Sequence, residues 1–594
     1  MSENVKINIF EKDNTSPSGT GIDSTDIAFV PGFSALGTAP QNTPTLVTSV
    51  REFEKIFGSY PLVLTARDVE SYSGYGFTEG DYDRSYIYAK ELLFQGMPVI
   101  YSNIVSDNSY EGIKFSEKSV MLDPNKTENY KCLTIISDPN KNGEIKITSN
   151  SDYTGDIDFK FGINVNIEGT DTDTSASKII DFRIGGSNFE VKNCKCEVAD
   201  THKDLDIVEL SPTQYDVRSA KAVKDVKFAF IVTIHVSLAK HESVDIIITQ
   251  PKSTISVLDV FYDKHSENHV NNQWAIPSTQ NPVEDTIADK SIYSVKYITS
   301  GGYPSVISSN NSASDVFAQD MIKAAAHRGD AVALIDYQLD SSERIFTVGD
   351  NKSTYSKIHA LFDNNSDGSY GTMMSPWAMY NCSSTLGNGS NLISMPASFG
   401  YLMCVAKAIK SSPNWLAMAG VSRGLVPGIK SLLVPGGVVS NFIAEEMQPK
   451  YGVDNHNISI NTITNIRPYG LTLWGNRTLK PVSKDGTVAL NFLNTRNMLS
   501  DIKKLLYTTA KSCMFEQNGD DLWIKFKGGI EPLLRRLKAG NGISDYQIVR
   551  GTTKYNGDPL TKGEVAAVIK VYPMYAVEFF ELAVEINDED VTVS

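Results

Sequence analysis

With 594 residues, 41% of them hydrophobic and 21% charged, the chain exceeds what one core can organise and is too apolar to be disordered. About two to four folded domains are expected at that length. A formal charge of −15 argues against a nucleic-acid-binding body, which needs clustered Lys and Arg to neutralise phosphates. The longest apolar-rich run, FAFIVTIHVSLA at 228–239, falls short of the roughly 20 residues of a membrane-spanning helix and reads as a buried strand. Six cysteines, with only Cys194 and Cys196 close together, make neither a disulfide framework nor a zinc ligand set. The opening MSENVKINIF lacks the basic and apolar regions of a signal peptide, so synthesis in a reducing cytoplasm is expected.

In chain order, Val5, Ile7 and Ile9 alternate with Lys6 and Asn8 as an isolated strand, followed by the flexible tether EKDNTSPSGTG. From Ile27 a strand, turn and helix pattern begins, in which Ser49 can cap a helix carrying Phe53, Ile56 and Phe57. SYIYAKELLFQGMPVIYSNIV at 85–105 reads as a helix, a Gly96 stop and a buried strand. Residues 109–288 turn polar between short alternating runs such as EIKITS, FKFGINVNI, KIIDFRI and SVDIIITQ, which marks a β-rich insertion. The helix and strand style resumes at 314–337, where Val316, Phe317, Met321, Ile322 and Ala325 share a helical face.

After Gly475, Met498, Ile502, Leu505 and Thr509 fall on one face of a helix, and GIEPLLRRLKAGNG reads as a second helix ending at Gly540. The last stretch alternates Phe580, Leu582, Val584 and Ile586 with Glu581, Ala583 and Glu585, another strand without a nearby partner. The expected architecture is a multidomain α/β and α+β chain with a split α/β core, a C-terminal helix-sheet domain, a β-rich surface insertion and extended terminal strand arms. Its expected parts are an arm at 1–22, core at 23–108 and 289–490, the insertion at 109–288, the C-terminal domain at 491–574 and an arm at 575–594.

No phosphate loop, nucleophile elbow, helical zinc motif or EF-hand is present, so no enzyme activity and no cofactor are expected. His265 and His269 have helical ligand spacing but sit in a polar stretch, DKHSENHVNNQ, and GTDTDTSAS at 169–177 has the composition of a solvated turn. The segment LTLWGNRTL at 471–479 combines an aromatic, a glycine and a cation at a strand end. Between Arg496 and Lys538, nine Lys or Arg oppose five acids, a local excess that could meet an acidic surface or simply be a solvated helix face.

Several separated stretches together resemble the contractile tail sheath proteins of myophages and related injection machines. They are DIAFVPGFSALGTAPQNTPTLVTSVREFEKIFG at 26–58, AKELLFQGMPVIYSNIV, MMSPWAMYN at 373–381, LTLWGNRTL, and the helical stretch holding Phe515, Glu516, Asn518, Leu522 and Trp523. The resemblance covers roughly 26–105, 314–337, 373–381 and 465–586 and leaves out 109–288, where such proteins vary most. LNTRNM departs from it where the family usually has paired arginines.

The resemblance implies a subunit of a virion that polymerises with itself in stacked hexameric rings around a tail tube protein. Its further partners would be baseplate and tail terminator proteins, without nucleic acid or membrane insertion. It also implies that terminal strands from neighbours, here around Val5, Ile7, Ile9, Phe580, Leu582, Val584 and Ile586, join a sheet in the C-terminal domain. Lys525, Lys527, Arg535, Arg536 and Lys538 become candidates to face the tube. Trp474 would fill the junction of core and C-terminal domain, Gly475 would permit a tight turn, and Arg477 would hold the next segment by bidentate pairing, against the plainer reading of an ordinary strand end. Other roles open to the chain are a baseplate component or a receptor-binding surface protein.

Overall fold

The structure is a computed structural model that describes residues 26–32, 44–57, 84–103, strands between 110 and 251, 293–302, 316–337, 367–382, 392–409, most of 412–448, 457–482, nearly all of 487–576, and a few single positions. Its residues form two compact units. The larger spans 24–412 and 418–487, and the smaller takes Pro413–Ala417 and the chain from Val488 onward.

The larger unit is organised by an eight-stranded sheet of β1 (Ala28–Gly32), β2 (Thr45–Val47), β3 (Val99–Asn103) and five later strands. The ten strands between them in sequence are β4 (Tyr110–Gly112), β5 (Leu133–Ser137), β6 (Glu144–Ser149), β7 (Gly155–Ile167), β8 (Ser177–Gly186), β9 (Glu190–Val198), β10 (Leu205–Ser211), β11 (Gln214–Ser219), β12 (Val226–Leu238) and β13 (Ser243–Pro251). They form a seven-stranded and a three-stranded sheet of their own, paired antiparallel. The run read as one long strand is β12, central in the three-stranded sheet between β7 and β9.

Past this stretch the main sheet resumes with β14 (Tyr297–Ile298), β15 (Val332–Ile335) and β16 (Gly371–Ser375). A small three-stranded sheet of β17 (Ala378–Asn381), β18 (Leu392–Met395) and β19 (Ile429–Leu432) follows. The main sheet closes with β20 (Asn461–Ile466) and β21 (Gly470–Trp474), in the order β2-β3-β1-β14-β15-β16-β20-β21. The six inner strands run parallel and the two outer ones antiparallel. Because β1 bonds directly to β14, residues on both sides of the 110–251 strands build one sheet.

Parallel strands need crossovers, and helices supply them. Helix α1 (Val50–Phe57) starts where the Glu52 amide donates to the Ser49 hydroxyl at 3.2 Å. Helix α2 (Arg84–Phe94) ends at Gly96, whose φ of +87° suits glycine. Phe53, Phe57, Tyr86 and Tyr101 stack edge-on or tilted at 4.6–5.1 Å between these helices and the sheet. Helices α3 (Val316–Arg328) and α4 (Ala397–Ala408) complete the layers, with Met321, Ile322 and Ala325 buried as the periodicity predicts.

The smaller unit pairs α5 (Leu493–Cys513) and α6 (Asp520–Ala539) with an antiparallel ribbon of β22 (Ile543–Gly551) and β23 (Ala566–Pro573). Its core is Trp415, Met498, Ile502, Ile530, Leu534, Leu537 and Ile543, against which Tyr546, Ile548, Ile569 and Val571 pack. The Trp415 carbonyl accepts from Asn494 Nδ2 at 3.1 Å, tying 413–417 to α5. The second helix begins at Asp520, nine residues before the expected Gly529, with Asp520 and Asp521 in its first turn, where carboxylates suit the helix dipole. Pro532 lies inside it, and the left-handed residue beyond its end is Asn541 (φ +67°).

Candidate functional site

The segment 471–479 closes the end of the main sheet. Leu473 is buried, while Trp474 pairs with Thr462 and is 37% exposed, so within its own unit it fills no core. What holds the following residues is Asn461. Its Nδ2 donates to the Arg477 carbonyl at 2.8 Å, to Thr372 Oγ1 at 3.0 Å and to the Met373 carbonyl at 3.1 Å, while its Oδ1 accepts from the Arg477 amide at 2.8 Å. Thr372 Oγ1 also donates to the Arg477 carbonyl at 2.8 Å.

Gly475 is required here by space. It is not among the residues with left-handed φ; a Cβ there would lie 2.6 Å from Asn461 Oδ1, so close approach is what demands glycine. The Arg477 side chain is buried and its Nη1 donates to Thr487 Oγ1 at 3.4 Å, so the backbone of Arg477 as well as its cation anchors the segment.

At the carboxyl end of β15, Asp336 accepts from the Ser398 hydroxyl at 2.5 Å and the Ser398 amide at 3.3 Å, bracing the first turn of α4. Ser398 also shares a hydrogen bond with the Tyr88 hydroxyl at 3.2 Å. Burial pushes the Asp336 carboxyl up to about 7, although the Ser398 hydrogen bonds pull the other way. Burial likewise pushes the Tyr88 phenol up and the Cys404 thiol to about 12, which makes that thiol inert as a nucleophile. Among the described residues no group of three or more His, Cys, Asp or Glu could hold a metal, and no helix is long and apolar enough to cross a membrane.

The basic candidates all lie on α6, but not on one face. At 100° per residue Lys525 and Arg536 fall on one stripe, Lys527 and Lys538 on a stripe roughly opposite, and Arg535 about 80° from Lys527. Lys527, Arg535 and Lys538, with Glu531, Ala539, Asp545, Tyr546 and Ile548, line a groove of about 510 Å³ between α6 and β22. Three of the cations are ion-paired within the unit: Lys525 with Glu516 at 2.6 Å, Arg535 with Glu531 at 3.1 Å and Lys538 with Asp545 at 2.7 Å. These pairs are solvent-exposed and therefore exchangeable at small cost.

The sequence implies a sheet in this domain without placing its two strands. Its inner face carries Tyr546, Ile548, Ile569 and Val571, and its outer face exposes Val549 and Val568. Neither long edge is paired with a third strand among the described residues. The arm residues Val5, Ile7, Ile9, Phe580, Leu582, Val584 and Ile586 lie outside the described residues, as do His265 and His269.

No family model matches the chain. It is 25% identical over 171 residues to the tail sheath protein of Vibrio phage KVP40, a match spanning 29% of this chain and 23% of that protein. Its resemblance to tail sheath proteins is therefore a similarity of sequence to a protein of that name. Among solved structures, it is similar to the crystal structure of the sheath tail protein from Desulfitobacterium hafniense (8% identity, TM-score 0.38, 96% of this chain and all of that one). It is also similar to the contracted PVC sheath of an extracellular contractile injection system (17%, TM-score 0.36, 50% and 72%).

Proposed function

We propose that the chain is the sheath subunit of a contractile tail, a virion component that polymerises helically around a tail tube. On baseplate triggering, the sheath would contract to drive the tube through the host envelope for genome ejection. The observation that carries this reading is the β22–β23 ribbon, a two-stranded sheet with both long edges open among the described residues, in a chain whose termini carry alternating strand patterns. A lone terminal arm is unstable: ordering about ten residues costs roughly 10–20 kcal/mol of conformational entropy. Burying three or four apolar side chains returns about 5–12 kcal/mol. Hydrogen bonds from an existing sheet edge close that gap. Arms reaching from one subunit to the ribbon of the next make heterologous contacts, which generate rings and helices.

Subunits so tethered can rotate as rigid bodies without losing partners, so the work of contraction resides in inter-subunit contacts and needs no hydrolysis. The Lys525 and Arg536 stripe of α6 is the candidate face toward the tube, with tube, baseplate and terminator proteins as partners. Electron microscopy of the purified chain beside a variant lacking residues 1–20 tests the reading. Hollow striated tubes from the intact chain, lost on deletion, are expected; monomers from both at every salt concentration would overturn it in favour of a baseplate or receptor-binding role.

A further inference from the structure

The turn joining α5 and α6 holds an unusual residue. Phe515 has φ +66°, a left-handed conformation that β-carbon sterics disfavour, and its side chain is 86% exposed. Sequence chemistry favours Gly or Asn there, and solvation disfavours the ring. The turn is nevertheless held firmly. Asn518 Nδ2 donates to the carbonyls of Lys562 and Glu564 at 3.0 and 3.4 Å, and Arg550 bridges Asp520 and Asn518 at 3.0 and 3.4 Å. Lys525 ties Glu516 and the Ser512 carbonyl at 2.6 and 3.1 Å. In the first turns of α6, Ile524 is 66% exposed and Trp523 stacks on Phe526 at 5.9 Å. An aromatic fixed outward in a costly conformation has the form of a preorganised interface anchor.

Its charge environment indicates the partner. Glu516 and Asp520 already pair with Lys525 and Arg550, which leaves Asp521 and a net acidic tip, whereas from Lys527 to Lys538 there are four bases and one acid. The open groove between α6 and β22 sets that basic stretch beside the half-buried Tyr546 and Ile548, a surface against which an aromatic side chain can lie. Glu531 and Asp545 on its walls already pair with Arg535 and Lys538, so incoming carboxylates exchange with them or share the cations. Asp520 and Arg535 lie fifteen residues apart on one helix, about 22 Å along its axis. The tip therefore cannot enter the groove of its own unit.

We infer that the Phe515 tip of one subunit docks in the α6–β22 groove of a second copy, with Asp521 facing Lys527, Arg535 and Lys538. The contact is heterologous and propagates head to tail. It rests on the polymerising role proposed above but is separate from strand exchange by the arms, and it assigns the groove-side stripe of α6 to a neighbour, leaving Lys525 and Arg536 for another surface.

The test places the photo-crosslinking amino acid benzoylphenylalanine at position 515 of the full chain and mixes it with isotopically heavy, unsubstituted chain. Crosslinks from light 515 to heavy residues of 535–548 are expected. Phe515→Gly relieves the left-handed strain, so it should raise the melting temperature while raising the critical concentration for assembly about tenfold; Asp521→Asn, which keeps a neutral residue in the first turn of α6, should raise that concentration with little change in melting temperature. If wild type forms tubes but 515 crosslinks elsewhere and Phe515→Gly assembles normally, the docking fails and the sheath reading stands. If the tip crosslinks to the groove in small complexes that never become tubes, the docking stands and the sheath reading fails. Absence of any self-association overturns both.

Discussion

At the scale of single residues, the segment after β21 is held by one amide side chain. Asn461 satisfies both backbone groups of Arg477, and Gly475 leaves space for it to do so. Gly475→Ala should therefore cost about 1–3 kcal/mol by overpacking. Asn461→Leu should cost about 2–4 kcal/mol, because it removes the partner of a buried N–H. Urea midpoints of the two variants check this, and a double mutant less destabilised than the sum of the two would show that the glycine and the asparagine act on one contact.

Asp336 supplies a second residue-scale prediction, in pH. Its folded pKa of about 7 lies above the ordinary 3.8, so between those values the native state binds the extra proton. Its stabilising contribution is full below about pH 4 and is lost as pH rises through 7, a difference on the order of 4 kcal/mol. Asp336→Asn should flatten the fall in melting temperature between pH 5 and pH 8; an unchanged fall would mean that the carboxyl stays ionised.

At the scale of elements, the patterns legible in the sequence were those with one buried face and a clear stop. Helices α1, α3 and α5 show their buried faces, α2 is buried nearly all round but stops clearly at Gly96, and EIKITS coincides with β6. The start of α6 was obscured because Gly528, Gly529 and Pro532 interrupt its propensity. Tertiary packing overrides that deficit: a Cβ at Gly529 would lie 2.6 Å from Thr509 Cγ2, so the glycine lets α6 approach α5. Gly529→Leu should consequently separate the helices and destabilise the smaller unit more than the 2–5 kcal/mol typical of Ile530→Ala. Tryptophan fluorescence from Trp415, in the same core, reports that loss.

The two strands of the ribbon are not placed by the sequence, for the opposite reason. Val549 and Val568 put apolar side chains on its outer face, so β22 and β23 lack the alternation that marks a half-buried strand. The candidate site is partly legible: the basic excess between Arg496 and Lys538 is countable, and Trp474, Gly475 and Arg477 stand out at a strand end. The Asn461 clasp is not, since its partners lie 16 and 89 residues away in sequence. Nor is the conformation of Phe515, because left-handed backbone has a sequence signature only when glycine or asparagine adopts it.

At the scale of the whole molecule, strand exchange and tip docking predict different responses to competition. In the proposed lattice, an arm tethered to its own subunit would reach a neighbour's ribbon at an effective concentration in the millimolar range. A free peptide copying residues 3–11 must match that concentration to compete, and once bound it caps a ribbon without offering the next subunit an arm. Because heterologous contacts do not close, each cap ends growth, so mean tube length should fall with peptide dose while the diameter stays constant. A scrambled peptide of the same composition should leave the length unchanged, since backbone pairing without side-chain register gives little specificity. In Phe515→Gly chains the peptide should act at lower dose, because a lattice lacking the second contact depends on the arms alone. Equal potency against both chains would mean that the two contacts do not cooperate in one lattice, and tubes unaffected at ten millimolar peptide would remove the ribbon as the arm's acceptor.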